Sequence, residues 1–387
     1  MFFYIRKLKR LGVNCDDFDA RRKSGIISGI VGVLLNVLLF SGKLAVALTS
    51  GSVAIIADAF NNLSDAGSSI IAMVGFKLSG KKPDPEHPFG HGRFEYITGF
   101  IVSMVIILMG FELAVSSLRS LGSNENLRFS QPMVVILCAS IVVKLYMACY
   151  NRLLYKLFKS PSMNATTIDS LSDVIATTAV LASLIISHYT SLNLDSYAGL
   201  LVSGFIMYSG ISSAKETLEP LLGAPPSREF IAKVESIVMA HPPIVGMHDL
   251  VVHDYGPGRL IMSLHAEIPS DIDVFEAHCI IDDLENVLDE TLGCEAVIHF
   301  DPINVNDKEL DRLKAIVEEI VHSISKDITL HDFRHVPGGT HTNLLFDIVV
   351  PFNSKLSDEE LKLMISDRVE MRLPHHNCVI KCDRGCM

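Results

Sequence analysis

Two stretches of the sequence carry oxygen donors at helical spacing within otherwise apolar runs. In Ala57-Asp-Ala-Phe-Asn-Asn-Leu-Ser-Asp65, Asn61 and Asp65 stand four residues apart; Thr167-Ile-Asp-Ser-Leu-Ser-Asp173 repeats the spacing with Asp169 and Asp173. Residues four apart share one face of a helix. Counted from the ends of their runs, both pairs fall near the middle of a bilayer. A bare carboxylate there costs at least about 2.5 kcal/mol on insertion scales. Two helices with matching pairs can share a cation that offsets this cost. The result is a site of four oxygen donors with neither sulfur nor imidazole. A lone Asp could instead hydrogen-bond a neighbouring helix, but two opposed pairs are harder to account for in that way. Asp58 lies on the same face, one turn toward the outside, placed to line an exit path or to support the ligands. Lys43, Glu112 and Lys144 are further charges in apolar runs. For these, ion pairs between helices or snorkelling toward the interface are the expected roles.

These pairs need long helices to hold them. A bilayer-crossing helix takes about 20 mostly apolar residues. Candidates cover residues 26–49, 53–78, 94–118, 132–158, 162–188 and 195–218. The hydrophobic fraction of 49% and mean hydropathy of +0.36 are concentrated there. Lys and Arg set the orientation. Lys81, Lys82 and Arg93 follow the second span, and Arg152, Lys156 and Lys159 lie between the fourth and fifth. The opposite loops offer only Arg119 and Arg128. Both termini are therefore expected on the cytoplasmic side of a bacterial-type plasma membrane. Residues 1–25 are rich in Lys and Arg without a compact apolar core or cleavage site. They read as a basic leader suited to anionic lipid rather than as a signal peptide.

Residues 223–387 have the composition of a soluble protein and hold much of the net charge of −11. Without a sustained basic stripe, nucleic acid is not an expected partner. After Pro225-Pro226 the pattern predicts a helix (227–240), strands (247–254 and 259–268), a helix (274–291) and a strand (294–300). Gly256-Pro-Gly marks a hairpin between the first two strands. The order then recurs. Met247-His-Asp-Leu matches Leu330-His-Asp-Phe, and Val297-Ile-His-Phe-Asp matches Val379-Ile-Lys-Cys-Asp. Such fixed offsets argue for internal duplication. In the second copy His265 becomes Asp347 and His299 becomes Lys381, so that copy reads as having kept the pattern and lost the histidines. The eight cysteines (15, 138, 149, 279, 294, 378, 382 and 386) form no extracellular framework and are expected as thiols. The four-residue spacing of Cys378, Cys382 and Cys386 fits either a soft-metal trap or a frayed tail.

The order Gly51-Ser-Val, Asn61-x-x-x-Asp65, a Pro-Phe-Gly-His-Gly loop and Asp169-x-x-x-Asp173 resembles the cation diffusion facilitator family of metal/proton antiporters. The resemblance spans residues 20 to 302. It implies a homodimer with a transport site in each protomer, made here of Asn61, Asp65, Asp169 and Asp173. It also implies six membrane helices (26–222) and a cytoplasmic α+β ferredoxin-like domain (223–302). Residues 307–387 would then be a second, degenerate ferredoxin-like copy that departs from the family plan. By the same resemblance, Asp84, His87 and His91 form a loop metal site. The plainer alternative is a loop shaped by Pro88 and Gly90 whose histidines only face water. His248, His265, His278, His299 and Asp301 fall where the family places a cytoplasmic metal site at the dimer interface, available for regulation. Arg93 and Glu219 match a charge pair that fastens the membrane and tail domains in relatives.

Zinc-carrying members usually place a His in the tetrad, where Asn61 and Asp169 stand here. Zinc prefers nitrogen and sulfur, while carboxylate and carbonyl oxygens suit Mn²⁺ and harder ions. The expected cargo, and possible regulator, is therefore Mn²⁺, with Zn²⁺ and Fe²⁺ as alternatives and protons as the counter-ion. A membrane-anchored metal sensor is the competing class. No nucleophile–base arrangement, phosphate loop or catalytic zinc motif supports an enzyme.

Overall fold

The structure, a computed structural model, describes residues 1–13, 17–50, 53–120, 131–190, 195–305, 307–337, 341–351, 353–354 and 356–384. The chain divides into two compact units. One comprises Met1–Lys233, Val251–Ser263 and Glu285–Val297; the other comprises Val234–Leu250, Leu264–Leu284 and Ile298–Met387.

The first unit opens with a short helix, α1 (Phe2–Arg10), followed by α2 (Phe18–Ser50), α3 (Val53–Ser79), α4 (Phe94–Ser120), α5 (Gln131–Phe158), α6 (Pro161–Thr190) and α7 (Asp195–Leu222). Among the described residues, three stretches are long and apolar enough to cross a membrane: Phe18–Val46, Phe94–Arg119 and Gln131–Phe158. Helices α2–α7 occupy the six segments expected to span, and three of them hold stretches that satisfy that criterion. Both α3 and α6 carry polar residues within their runs: Asn61, Asn62 and Asp65 on the one, Asn164, Asp169 and Asp173 on the other.

The basic leader also needs correcting. The Asp17 carboxylate accepts a hydrogen bond from the Ala20 amide at 2.8 Å. This N-cap starts α2 at Phe18, so Arg21 to Lys23 are helical. α1 turns Ile5 and Leu8 into an apolar cluster with Tyr150, Leu154 and Phe158 of α5, leaving Arg6, Lys7, Lys9 and Arg10 exposed. The leader is thus packed on protein along one face.

Small residues set how closely the helices approach. Gly25, Gly29 and Gly32 of α2 face Phe76, Met73 and Ser69 of α3. A Cβ on Gly29 would stand 2.6 Å from the Met73 Cβ and 3.1 Å from its Cα, so any larger residue would push the two helices apart. The α5–α6 turn is equally compact. Lys159 takes a left-handed φ of 53°, Ser160 Oγ accepts from the Met163 amide at 3.3 Å, and Pro161 fills the first helical position. Beneath this turn Glu95 of α4 is fully buried. It accepts from Arg21 Nη2 at 2.5 Å and from Ser160 Oγ at 2.5 Å. Arg21 also donates to the Phe158 carbonyl at 3.2 Å, so one ion pair ties α2, α4 and the α5–α6 turn.

The tail contains α8 (Arg228–Met239), β1 (Gly246–Asp254), β2 (Leu260–Pro269), α9 (Val274–Leu292) and β3 (Cys294–Ile303). It continues with α10 (Lys308–Ile324), β4 (Thr329–Pro337), β5 (Thr342–Val350), α11 (Asp358–Arg372) and β6 (His376–Arg384). The order helix-strand-strand-helix-strand thus occurs twice. The two sheets are ordered β1-β2-β3 and β4-β5-β6. In the second, β4 and β5 are antiparallel and β5 and β6 parallel, which puts His331 opposite Asp347 and Asp347 opposite Lys381. Alternate residues of β5 (Leu344, Phe346, Ile348, Val350) join Leu361, Ile365 and Val369 of α11 and Val317 and Ile320 of α10 in one apolar core. Cys378 and Cys382 pack against that core from β6. Burial pushes the Cys378 thiol up to about 11, which favours its neutral form. Cys15 and Cys386 lie outside the described residues.

Candidate metal centres

The expected membrane ligands are carried by two helices. α3 supplies Asn61 and Asp65, and α6 supplies Asp169 and Asp173. The three aspartates each offer an oxygen within 4.8 Å of the others. Asp65 and Asp169 are buried, and Asn61 joins them in the wall of a cavity of about 530 Å³. The side chain of Asp58 lies outside the described residues.

One neighbour was not legible as such in the sequence. Lys144 of α5 is almost wholly buried and places Nζ 2.6 Å from Asp65 Oδ2 and 2.5 Å from Asp173 Oδ2. It does not snorkel. It bridges α3 and α6 through the two carboxylates. An i,i+4 search cannot find this contact, because the residues are 79 and 29 positions apart.

The loop between α3 and α4 brings together the three residues expected there. Asp84 Oδ1 accepts from the His87 amide at 2.8 Å, and Lys81 Nζ donates to Oδ2 at 2.5 Å. These bonds hold the Asp84 carboxyl well below the usual carboxylate range. His91 Nε2 is 3.6 Å from Asp84, and the rings of His87 and His91 stand 4.6 Å apart. His91 Nδ1 is buried without a hydrogen-bond partner. Such a nitrogen is open to a metal or a proton.

The expected Arg93–Glu219 pair does not form. Arg93 donates to the Asp254 carbonyl at 3.0 and 2.7 Å, and its guanidinium lies 4.7 Å over the Tyr255 ring. Tyr96 donates to the Asp254 carboxylate at 2.9 Å. Glu219 instead faces Lys215, one turn away on α7, at 3.7 Å. Arg93 finds a preorganised carbonyl and aromatic face, whereas an exposed pair with Glu219 would contribute about 0–1 kcal/mol. Gly92 and Gly256 make the approach possible: a Cβ on Gly92 would sit 2.9 Å from the Tyr255 carbonyl oxygen.

In the tail, Asp301 gathers three of the four expected histidines. Its carboxylate lies 2.8 Å from His265 Nδ1, 3.3 Å from His248 Nε2 and 3.5 Å from His299 Nε2. His278 is not among them; exposed on α9, it faces Asp282 at 3.6 Å. The cluster also extends further than the sequence reading placed it. Asp249 Oδ2 is 3.7 Å from His248 Nδ1, and Asp249 Oδ1 is 3.2 Å from His331 Nε2. Asp249, His331, Asp347 and Asp383 offer ligand atoms within 4.8 Å of one another. Residues 307–384 therefore bring one histidine, His331, to a carboxylate-rich group. Lys381 Nζ, 3.0 Å from Asp383 and 3.3 Å from Asp347, supplies a fixed positive charge there. The repeat offsets that located Asp347 and Lys381 would also have located His331 and Asp383.

The sequence that carries these groups is matched by known proteins. Residues 29–222, which take in most of α2 and all of α3–α7, match the cation efflux transmembrane domain; residues 226–303 match the cytoplasmic domain of cation efflux proteins. The chain belongs to the cation efflux family. Similar proteins include the uncharacterized transporter MJ0449 of Methanocaldococcus jannaschii, 28% identical over 71% of this chain and 97% of its own length. The cation-efflux pump FieF of Cronobacter sakazakii is 29% identical over 72% of this chain and 93% of its own. FieF of Pectobacterium carotovorum is 27% identical over 75% and 97%. As a family member the chain is an integral membrane transporter of divalent metal cations and not an enzyme. The two matched domains end at residue 303, before α10.

Proposed function

We propose that this protein exports a divalent cation, Mn²⁺ in preference to Zn²⁺ or Fe²⁺, from the cytoplasm in exchange for protons. The observation that carries this reading is the convergence of Asp65, Asp169 and Asp173 within 4.8 Å at a cavity also lined by Asn61. The set offers oxygen alone, which suits a hard ion. Carboxylates that hold metal when ionised and release it when protonated are a sufficient coupling chemistry. In this reading α2–α7 all span the membrane, with both termini cytoplasmic in a bacterial-type plasma membrane. Residues 26–222 form the transport domain, 223–302 a ferredoxin-like domain, and 307–387 its degenerate duplicate. The chain works as a homodimer. Asp84, His87 and His91 form a peripheral metal site. The cluster around Asp301 senses cytoplasmic metal and biases the transport equilibrium, which requires unequal affinity in two conformations.

The test is metal uptake by vesicles containing the purified protein, with and without a pH gradient, under Mn²⁺/Zn²⁺ and Mn²⁺/Fe²⁺ competition. Gradient-dependent uptake favouring Mn²⁺ is expected. Preference for Zn²⁺ or Fe²⁺ would overturn the choice of ion, and absence of flux would favour a membrane-anchored sensor.

A further inference from the structure

We propose that the Lys144 ammonium is a tethered competitor for the transported cation: it occupies the carboxylates when the site is empty and must withdraw when metal enters. The proposal rests on the transport-site reading above and gives that site a fifth working residue.

The geometry is specific. Nζ lies 2.6 Å from Asp65 Oδ2 and 2.5 Å from Asp173 Oδ2, on a side chain only 2% exposed. A divalent ion bound to these aspartates would come within about 2.0–2.6 Å of the same oxygens. Ion and ammonium cannot both hold them, because like charges that close repel strongly in a site shielded from water. A lysine is suited to the exchange, since its flexible four-carbon stem carries a compact charge that can move. Lys144 also borders the cavity, which gives the stem room to recede.

Charge counting supports the same role. When all three carboxylates are ionised, they and one ammonium sum to a formal charge of −2, which a single divalent cation cancels. A buried site is least costly when neutral. Lys144 thus matches the cavity to one divalent ion. The three carboxylates alone would be left with an unmatched negative charge after loading, and would release the ion more slowly. A tethered group competes at an effective concentration on the order of millimolar. Removing it therefore tightens apparent binding by about tenfold or more and slows release.

The experiment measures Mn²⁺ uptake by vesicles and the Mn²⁺-induced shift in melting temperature of the full-length protein in detergent. For Lys144→Met the half-saturating Mn²⁺ concentration is expected to fall about tenfold or more, together with the maximal rate. The metal-free protein should melt lower, and the Mn²⁺-induced shift should grow. Lys144→Arg, which keeps the charge, should retain the weaker wild-type affinity. A purely structural tie between α3, α5 and α6 would lower melting equally with and without metal. Unchanged or weakened affinity in Lys144→Met would overturn the proposal, with Lys144→Gln standing in if Met does not fold. So would a set in which only Lys144→Arg folds. Asp173→Asn separates the two readings. If it transports like wild type, the site assignment itself fails. If it is inactive while Lys144→Met keeps wild-type affinity, only the role of Lys144 fails.

Discussion

His248 and His331 hold the same place in the two tail repeats, and their rings stand 5.2 Å apart. The residue after each, Asp249 and Asp332, adopts the same left-handed backbone, with φ of 52° and 49°. A contact between equivalent residues is the signature of an isologous interface, in which one surface meets its own copy. Here both surfaces belong to one chain. Asp249 is the shared element, its two carboxylate oxygens facing His248 and His331 at 3.7 and 3.2 Å.

That sharing predicts how the tail binds metal. Asp249→Asn should weaken Mn²⁺ binding by the tail about tenfold, the scale of losing a supporting carboxylate beside a ligand histidine. Equilibrium dialysis of the full chain, in an Asp84→Asn, Asp173→Asn background that removes one carboxylate from each of the loop and membrane sites, would measure it. Unchanged tail binding would separate Asp249 from metal recognition.

Stability should depend most on a pair far from any metal. Glu95 is fully buried against Arg21 and Ser160. Glu95→Ala leaves the Arg21 guanidinium buried beneath the α5–α6 turn without its carboxylate. Breaking one side of such a pair costs about 3–5 kcal/mol. A large drop in the detergent melting temperature is expected, with Glu95→Gln intermediate because an amide still accepts one hydrogen bond. A drop no larger than that of a surface Glu→Ala control would contradict this.

The tail cysteines predict a pH profile. Burial raises Cys378 from an ordinary 9.0 to about 11, and it raises Cys382 as well. For an acid raised by folding, the neutral form is the one the fold favours. The associated stability is full below the ordinary thiol range and is lost as pH rises through about 9 toward 11. Alkylation of Cys378, followed by mass spectrometry, should therefore be slow at neutral pH. It should accelerate only as pH approaches 11, well after exposed Cys279 has reacted. Equal rates for the two at neutral pH would show that the β6 thiol is not buried as described.

Sequence made some of this legible and hid the rest for identifiable reasons. Asn61/Asp65 and Asp169/Asp173 could be read because both members of each pair sit on one helix, where spacing fixes direction. The tail order could be read because turn residues and alternation are local signals. Lys144 could not be assigned, since its partners lie on other helices and periodicity carries no information across helices. The family resemblance pairs Arg93 with Glu219, and the structure gives it a carbonyl and an aromatic face instead.

On the proposed function, the choice of ion turns on Asn61. It lines the cavity one helical turn from Asp65 and is the neutral donor beside three carboxylates. An amide oxygen is a hard ligand that competes poorly for zinc against cytosolic thiols and imidazoles. Asn61→His would supply a nitrogen donor to a set that has none, moving the site toward the mixed nitrogen–oxygen sets that zinc prefers. Asn61 is exposed and lines the cavity. The expected result is a rise in the Zn²⁺-to-Mn²⁺ uptake ratio of about tenfold, corresponding to about 1.4 kcal/mol of discrimination. Competition between the two ions in vesicles would measure it. A ratio that stays put would mean that Asn61 does not touch the ion and that selectivity resides in the three aspartates. A wild-type protein that already favours Zn²⁺ would refute the argument from ligand hardness, while leaving Asp65, Asp169 and Asp173 as the carriers of the ion.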